Sequence, residues 1–299
     1  MTMTTELTAD PDQATAAPFG QVCALTELTT TDAGTGRYAG TIDPIWTIGP
    51  KVHGGTMVAA SAAAATTWLR TIDPERTGMA PIAASSDFLG APEPGEVEYE
   101  VRVRKVGRQI CLLDATLSQA GKAMVRTAFT FGHLDDADTP PAYAPAHTDM
   151  PAEPGATALA YDPESPMGQI VHVAQGADLC IDSEWARFLA GETGEPRLRL
   201  WMRPREGDQN DPDVSMYFAM MAADMSPPVP ANLGSFGWAP TVQMTTYLRR
   251  RPAPGWLRII ATTHEVGGRM FDEDQLVIDS TGAVVAQSRQ LALMPVPRR

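Results

Sequence analysis

The chain has few of the residues that mark metal-binding, disulfide-rich or nucleic-acid-binding proteins. Its 299 residues include three cysteines, five histidines, and 23 basic against 36 acidic side chains, for a formal net charge of −13. Scattered cysteines without a C-x-x-C pair exclude a disulfide framework and indicate a reducing, cytoplasmic compartment. The histidines lie far apart in sequence, so no metal site is expected. The negative balance disfavours a nucleic-acid or anionic-membrane surface, because both need a basic footprint.

Long apolar runs and phosphate-binding loops are also missing from the sequence. The run "MVAASAAAATTWL" is too short to span a bilayer. The opening "MTMTTELTADPDQ" lacks the cationic start and apolar core of a signal peptide. No P-loop or dinucleotide fingerprint occurs, and "LGSFG" has the wrong spacing for the nucleophile elbow of a serine hydrolase. We therefore expect neither a membrane segment nor a cofactor.

What the sequence does contain is a long internal repeat. "APEPGEVEYEVRVRKVGRQ" at 91–109 and "RPAPGWLRIIATTHEVGGR" at 251–269 share a Pro-x-Pro-Gly, an alternating run and a Val-Gly. The offset is constant, since Gly95 and Gly255 lie 160 positions apart, as do Gly107 and Gly267. Alternating apolar and polar residues predict strands with one buried face. A repeat of this length indicates a duplicated domain rather than a solenoid unit.

The pattern of elements predicts an α+β protein with two similar halves. We expect a loose tail over 1–17, an N-terminal domain over 18–134, a Pro- and Ala-rich linker over 135–166, and a C-terminal domain over 167–299. Each domain contains one apolar helix, within "PKVHGGTMVAASAAAATTWLRTIDPER" or "DVSMYFAMMAADMSPP", followed by about four strands. The linker composition is not expected to build a packed core.

Four motifs resemble one known family. "VHGGTMVAASAAAA" and "DFLGAPEPG" are similar to the first half of the acyl-CoA thioesterase II family, and "WAPTVQMTTYLRRRP" and "VVAQSRQLALM" to its second half. Their order and spacing carry the resemblance, which covers nearly the whole chain outside the tail and linker. It implies a tandem (double) hot-dog fold, in which each half wraps an antiparallel sheet around a central helix. It also implies an acyl-CoA substrate and a role in lipid metabolism, and it leaves a homo-oligomer open.

Comparison of the two halves brings out three polar residues in the second. Its helix motif carries Asp224, whereas the first helix has no carboxylate. The offset pairs Thr241 with Pro81, and counting from the turn glycines pairs Gln290 with Phe129. In the resembling family an Asp on the second helix, a Thr or Ser on the next strand and a Gln near the C-terminus hold the hydrolytic water. Asp224, Thr241 and Gln290 fall on those positions and are the candidate catalytic residues.

Candidate substrate-binding residues lie at the start of the first helix and in a basic cluster. Gly54 and Gly55 would let a ligand approach the backbone N–H groups of the helix, which suit a developing oxyanion, and His53 precedes them. An equally good interpretation is that these three residues only begin the helix. As a group, Arg249 and Arg250 could meet the phosphates of coenzyme A, although a solvated strand end is the better interpretation of either arginine alone.

Two other functions compete with hydrolysis. A hot-dog dehydratase needs an Asp beside a His, and the sequence suggests no such pair. A double hot-dog protein that binds acyl-CoA without turning it over is the stronger alternative. It is favoured by Gln243 and Met244, which stand where the resembling enzymes often have an Asp-His pair.

Overall fold

The computed structural model describes residues 17–29, 32, 34–136, 141–143 and 149–295. The tail expected over 1–17 lies outside these residues except for Ala17. The α-helices are α1 (Pro18–Cys23), α2 (Gly54–Ile72), α3 (Glu206–Gln209) and α4 (Pro212–Ala222). Short 3-10 turns cover Pro44–Trp46, Pro74–Arg76, His172–Gly176, Arg187–Ala190 and Val229–Leu233.

The rest of the regular structure is β-sheet. The strands are β1 (Thr26–Glu27), β2 (Thr35–Ile42), β3 (Thr47–Ile48), β4 (Lys51–Val52), β5 (Ala80–Phe88), β6 (Gly95–Lys105), β7 (Cys111–Gln119), β8 (Lys122–Gly132), β9 (Ala158–Ala160), β10 (Ala177–Asp182), β11 (Leu198–Pro204), β12 (Thr241–Leu248), β13 (Leu257–Thr262), β14 (Met270–Ile278) and β15 (Val284–Leu293). The strands expected from alternation are confirmed, and the architecture is α+β with a large antiparallel sheet.

Thirteen strands form one sheet in the order β1-β2-β6-β7-β8-β5-β12-β15-β14-β13-β11-β10-β9, and β3 pairs with β4 separately. Strands from the first half of the chain therefore occupy one side of the sheet and strands from the second half the other. They meet where β5 pairs antiparallel with β12.

This junction is symmetric under the 160-residue offset. Ser85 pairs with Thr245, their hydroxyls lie 3.3 Å apart, and the flanking pairs Asp87–Gln243 and Ala83–Tyr247 exchange under the same offset. Register shifts also recur at matching places, between residues 81 and 83 in the β5–β8 pair and between 241 and 243 in the β12–β15 pair. The spacing detected in the sequence thus corresponds to matched positions in the sheet.

Helix α2 lies at the centre of the core and confirms the predicted helix. Its side chains from Gly55 to Leu69 are almost all buried. Alanine favours the helix and its small side chain lets the neighbouring elements pack close to the helix backbone. The helix ends before Asp73-Pro74, as the sequence predicts.

Helix α4 packs against α2 and is shorter than expected. It begins after Asp211, whose carboxylate accepts the N–H groups of Asp213 and Val214, and it ends at Ala222. The expectation that Asp224 lies on this helix is therefore wrong. The chain turns at Ala223 ahead of the prolines at 227 and 228, so Asp224 projects from the segment that follows the helix.

Part of the expected linker is built into the fold. Met150 is buried beside Trp201 and Ile260, and the Trp201 indole N–H donates to the carbonyl of Pro151 at 2.8 Å. Strand β9, also within 135–166, extends the sheet edge. The expectation that this composition contributes nothing to a packed core is wrong for these residues, and the domain boundaries stay a prediction. Within the described ranges, no helix has the length and apolarity needed to cross a bilayer.

Candidate active site

A cleft of about 310 Å³ opens where the N-terminus of α2 meets the segment after α4. Its apolar wall includes Val52, Met57, Phe88, Trp238 and Phe271. Its polar groups are His53, Asp224, Ser226, Thr241, Glu273 and Gln290. The three candidate catalytic residues therefore line one cleft, although they come from three different parts of the chain.

The Asp224 carboxylate lies against the start of the other half's helix. Its side chain is 8% exposed, and its Oδ2 accepts the Gly55 N–H at 2.6 Å. The positive end of the α2 dipole thus faces this carboxylate and stabilises its negative charge. Burial raises the pKa of Asp224, while the nearby His53 ring and the Gly55 N–H oppose that rise.

The two glycines make this approach possible. A Cβ on Gly54 would lie 2.7 Å from Asp224 Oδ2, and a Cβ on Gly55 would lie 2.6 Å from the Met221 carbonyl oxygen. Both distances are shorter than van der Waals contact. The Gly55 N–H donates to Asp224, and the approach of a ligand to the helix start at these glycines stays a prediction. Because the two glycines have no Cβ, the Asp224 carboxylate of the protein itself can approach the backbone at the start of α2.

Thr241 and Gln290 form a hydrogen-bonded pair across β12 and β15. Thr241 Oγ1 donates to Gln290 Oε1 at 2.7 Å, and the Gln290 side chain is almost fully buried. No hydrogen bond among the described residues joins this pair to Asp224. The strand registers support the sequence-based matching: Gln290 lies opposite Met244 as Phe129 lies opposite Ala84, and 84 and 244 differ by the repeat offset.

His53 acts as the N-cap of α2 and also contacts the segment after α4. Its Nδ1 accepts the Thr56 N–H at 3.3 Å, and its Nε2 lies 2.9 Å from the Asp224 carbonyl oxygen and 3.5 Å from Oδ2. These contacts place the proton on Nε2 and occupy both ring nitrogens. The expectation of no Asp-His pair is wrong, since the fold joins residues 171 positions apart. The pair nevertheless leaves no free ring nitrogen for dehydratase chemistry.

Glu273 is a further carboxyl group of the cleft that the sequence comparison missed. It lies on β14, is 1% exposed, and pairs in register with Gln290 on β15. Burial raises the pKa of Glu273 to about 7, and the charge of Asp224 contributes in the same direction. The repeat could have revealed Glu273, because the 160-residue offset makes it equivalent to the buried Leu113 of the first half.

The two arginines proposed for coenzyme A lie outside the cleft lining. Arg249 donates through Nε to Gln287 at 2.9 Å, and Arg250 approaches Asp135 at 3.9 Å with a side chain that is 11% exposed. A contact between these guanidinium groups and substrate phosphates stays a prediction.

An ion-pair cluster occupies the opposite face of β14. His264 contacts Asp272 and Asp274, and Arg289 binds both carboxylate oxygens of Asp274 at 2.6 Å. Because the guanidinium occupies Asp274, this cluster is a surface salt-bridge network and we assign no metal site to it.

Both halves of the chain match known protein families. Residues 42–132 match the family described as acyl-CoA thioesterase N-terminal domain, and residues 143–294 match acyl-CoA thioesterase C-terminal domain. Proteins of Mycobacterium tuberculosis and Mycobacterium bovis, described only as uncharacterized, are 36% identical to this chain over 271 residues. That alignment covers 86% of this chain and 91% of theirs.

Solved structures agree with the sheet and helix arrangement. A structure from Thermobifida fusca YX, provisionally named a thioesterase II, has a TM-score of 0.77 at 26% identity and covers 94% of this chain and 98% of its own. A hot-dog protein of unknown function from Alicyclobacillus acidocaldarius has a TM-score of 0.69 at 19% identity, covering 94% and 99%. At that identity the second likeness shows the fold alone, which is of the hot-dog type.

Proposed function

Because the chain belongs to the acyl-CoA thioesterase family, we propose that it hydrolyses acyl-CoA to a free fatty acid and CoA in the cleft lined by Asp224. The observation that carries the proposal is the convergence of a buried carboxylate and the Thr241–Gln290 pair on one mainly apolar cleft. The same reasoning assigns the chain to cytoplasmic lipid metabolism, with which its three free cysteines agree. A homo-oligomer stays open.

The hydrogen bonds suggest how a water would be directed. Thr241 gives its proton to Gln290, so its free lone pair accepts from a water. A water that donates one proton to Thr241 and the other to Asp224 presents its own lone pair to the thioester carbonyl carbon. Asp224 takes the proton during attack and returns it to the departing CoA sulfur, and the products are a carboxylic acid and a thiol.

The remaining donor of the pair has a use in the same reaction. Gln290 Nε2 makes no hydrogen bond to the described residues, while its Oε1 is held by Thr241. This amide N–H would stabilise the oxyanion that forms on the carbonyl oxygen. The raised pKa of Asp224 makes its carboxylate a stronger base than an exposed aspartate.

We also propose that the two halves are duplicated hot-dog units in tandem. The symmetric β5–β12 junction, the matching register shifts and the turn glycines Gly95 and Gly255, both at positive φ, support a common origin. On this basis the second unit supplies the carboxyl groups and the Thr241–Gln290 pair of the cleft, while the first unit supplies His53 and the start of α2.

The test is thiol release from short, medium and long acyl-CoAs. We expect Asp224→Asn to lower kcat by roughly 10²–10⁴-fold, the usual worth of general-base assistance, with acyl-CoA binding retained. Asp208→Asn is the matched control, because Asp208 is a buried aspartate that accepts two backbone N–H groups, of Phe19 and Gly20, outside the cleft. It should keep wild-type kcat.

The experiment also separates the enzyme from the binding protein. A wild-type chain that binds acyl-CoA but releases no thiol at any chain length would support the non-catalytic alternative. Full activity in Asp224→Asn would refute the assignment of the base.

A further inference from the structure

The buried Glu273 carboxylate accepts three hydrogen bonds. Its Oε1 accepts from Ser226 Oγ at 2.5 Å and from Gln275 Nε2 at 2.8 Å, and its Oε2 accepts the Val229 N–H at 3.0 Å. No ion pair in the described part of the chain involves it. Three donors therefore hold a carboxylate that has no cationic partner.

Two of those donors belong to the segment that carries Asp224. Ser226 and Val229 follow Asp224 by two and five residues, and Gln275 also accepts the Met225 N–H at 3.2 Å. Strand β14 thus fixes the chain immediately after Asp224, while His53 holds the Asp224 carbonyl and Gly55 holds its carboxylate. The position of the proposed base depends on contacts from both sides.

The first half shows what this part of the sheet looks like without such a role. Under the 160-residue offset, Leu113 is equivalent to Glu273 and Ala115 is equivalent to Gln275, and both first-half side chains are buried. Leucine and alanine therefore satisfy packing at these two positions. Both polar replacements occur beside the segment that carries Asp224.

We propose that Glu273 is a positioning residue of this site: it fixes the segment that carries Asp224 and places a second carboxyl group beside the base. This inference rests on the proposed function insofar as Asp224 is the base.

The groups that face Glu273 from the surrounding elements determine the charge effect. The segment after α4 presents Asp224, the start of α2 presents His53 beyond it, β15 presents the neutral Gln290, and β14 itself presents the neutral Gln275. Because the pKa of Glu273 is raised to about 7, its ionisation near neutral pH adds a second negative charge beside Asp224. That charge makes Asp224 more basic and strengthens the three hydrogen bonds, so activity should rise through this pH range.

The first experiment compares pH profiles of kcat for the wild type, Glu273→Gln and Glu273→Asp. We expect the wild type to show an ionisation near pH 7 that is absent from Glu273→Gln. The amide variant should lose about ten- to a hundredfold in kcat, with KM within about twofold, as misplacement of a base predicts. Glu273→Asp should retain the ionisation. A Glu273→Gln profile that keeps this limb would overturn the proposal, and Asp208→Asn should keep the wild-type profile.

The second experiment needs no turnover. Carbon-13 NMR of the side-chain carboxyl groups would follow the titration of Glu273, assigned by its loss in Glu273→Gln. We expect Asp224→Asn to lower the pKa of Glu273, because a negative neighbour is removed, and Asp208→Asn to leave it unchanged. An unmoved titration refutes the charge coupling. A moved titration together with full activity in Asp224→Asn supports the coupling and refutes the proposed function instead.

Discussion

The buried carboxyl group of Glu273 should make the stability of the protein depend on pH. Glu273 has a pKa of about 7 in the folded chain against 4.5 for an ordinary glutamate. The folded state therefore binds more protons than the unfolded state between these values, and the free energy of unfolding must fall as pH rises. The favourable contribution is fully present below about pH 4 and is lost as pH passes 7. The difference corresponds to about 3 kcal/mol.

Glu273→Gln should remove this dependence because the amide is neutral at every pH. Its nitrogen can face Ser226, whose hydroxyl also reaches the Pro227 carbonyl at 3.0 Å, and its oxygen keeps the Val229 N–H, but Gln275 Nε2 loses Glu273 Oε1 as an acceptor. That loss lowers the stability of the variant by the same amount at every pH. The stability of the variant relative to the wild type should therefore rise by about 3 kcal/mol between about pH 4 and pH 8.

Denaturant unfolding of both proteins at a series of pH values measures this difference. Carboxyl groups that do not interact with Glu273 titrate alike in both chains and cancel, which leaves the titration of Glu273 and its charge coupling to Asp224. The control is Glu93→Gln, whose exposed side chain pairs with Lys51 at 3.2 Å and should change stability by less than about 1 kcal/mol at any pH. A difference between the wild type and Glu273→Gln that stays constant from about pH 4 to pH 8 would refute the reasoning.

Three further predictions follow from close contacts and unpaired groups. Gly54→Ala should fold, as circular dichroism would show. Its new Cβ would lie 2.7 Å from Asp224 Oδ2, so the carboxylate should be displaced and kcat should fall about a hundredfold. Undiminished thiol release would contradict this. Gly176→Ala places a Cβ well inside van der Waals contact with the Trp46 ring and should lower the free energy of unfolding by about 1–3 kcal/mol in denaturant titrations, whereas unchanged stability would show that the ring can move. Thr246→Val should leave stability unchanged or raise it by about 1 kcal/mol in the same assay, because its buried hydroxyl has no hydrogen-bond partner among the described residues; a clear loss would reveal one.

Local patterns were enough to predict the elements of the fold. Alternation in "EVEYEVRVRK" and the alanine run after Gly54 each specify a strand or a helix from neighbouring residues alone, and β6 and α2 lie where those patterns indicate. The repeat offset added long-range information, because a pair of equivalent residues, Ser85 and Thr245, lies directly at the centre of the sheet. The halves could therefore be aligned before their contact was known.

Contacts between elements far apart in the chain could not be predicted in the same way. Nothing in the sequence names Gly55, 169 residues earlier, as the hydrogen-bond partner of the Asp224 carboxylate. The contact of His53 with the same segment depends on the same packing of α2 against α4. Glu273 is a different case, since the offset used for Thr241 would also have paired it with Leu113.

The two ends of the α2–α4 helix pair differ in the groups that surround their aspartates. At one end of the helix pair, the start of α2 receives the carboxylate of Asp224. At the other end, the start of α4 carries Asp213, which Arg70 from α2 and Arg251 hold at 2.5 and 3.0 Å. A reacting water needs an unpaired base, and Asp213 is neutralised by two guanidinium groups. The proposed site therefore combines the helix start of the first half with the polar side chains of the second, and on this proposal neither half alone would be active.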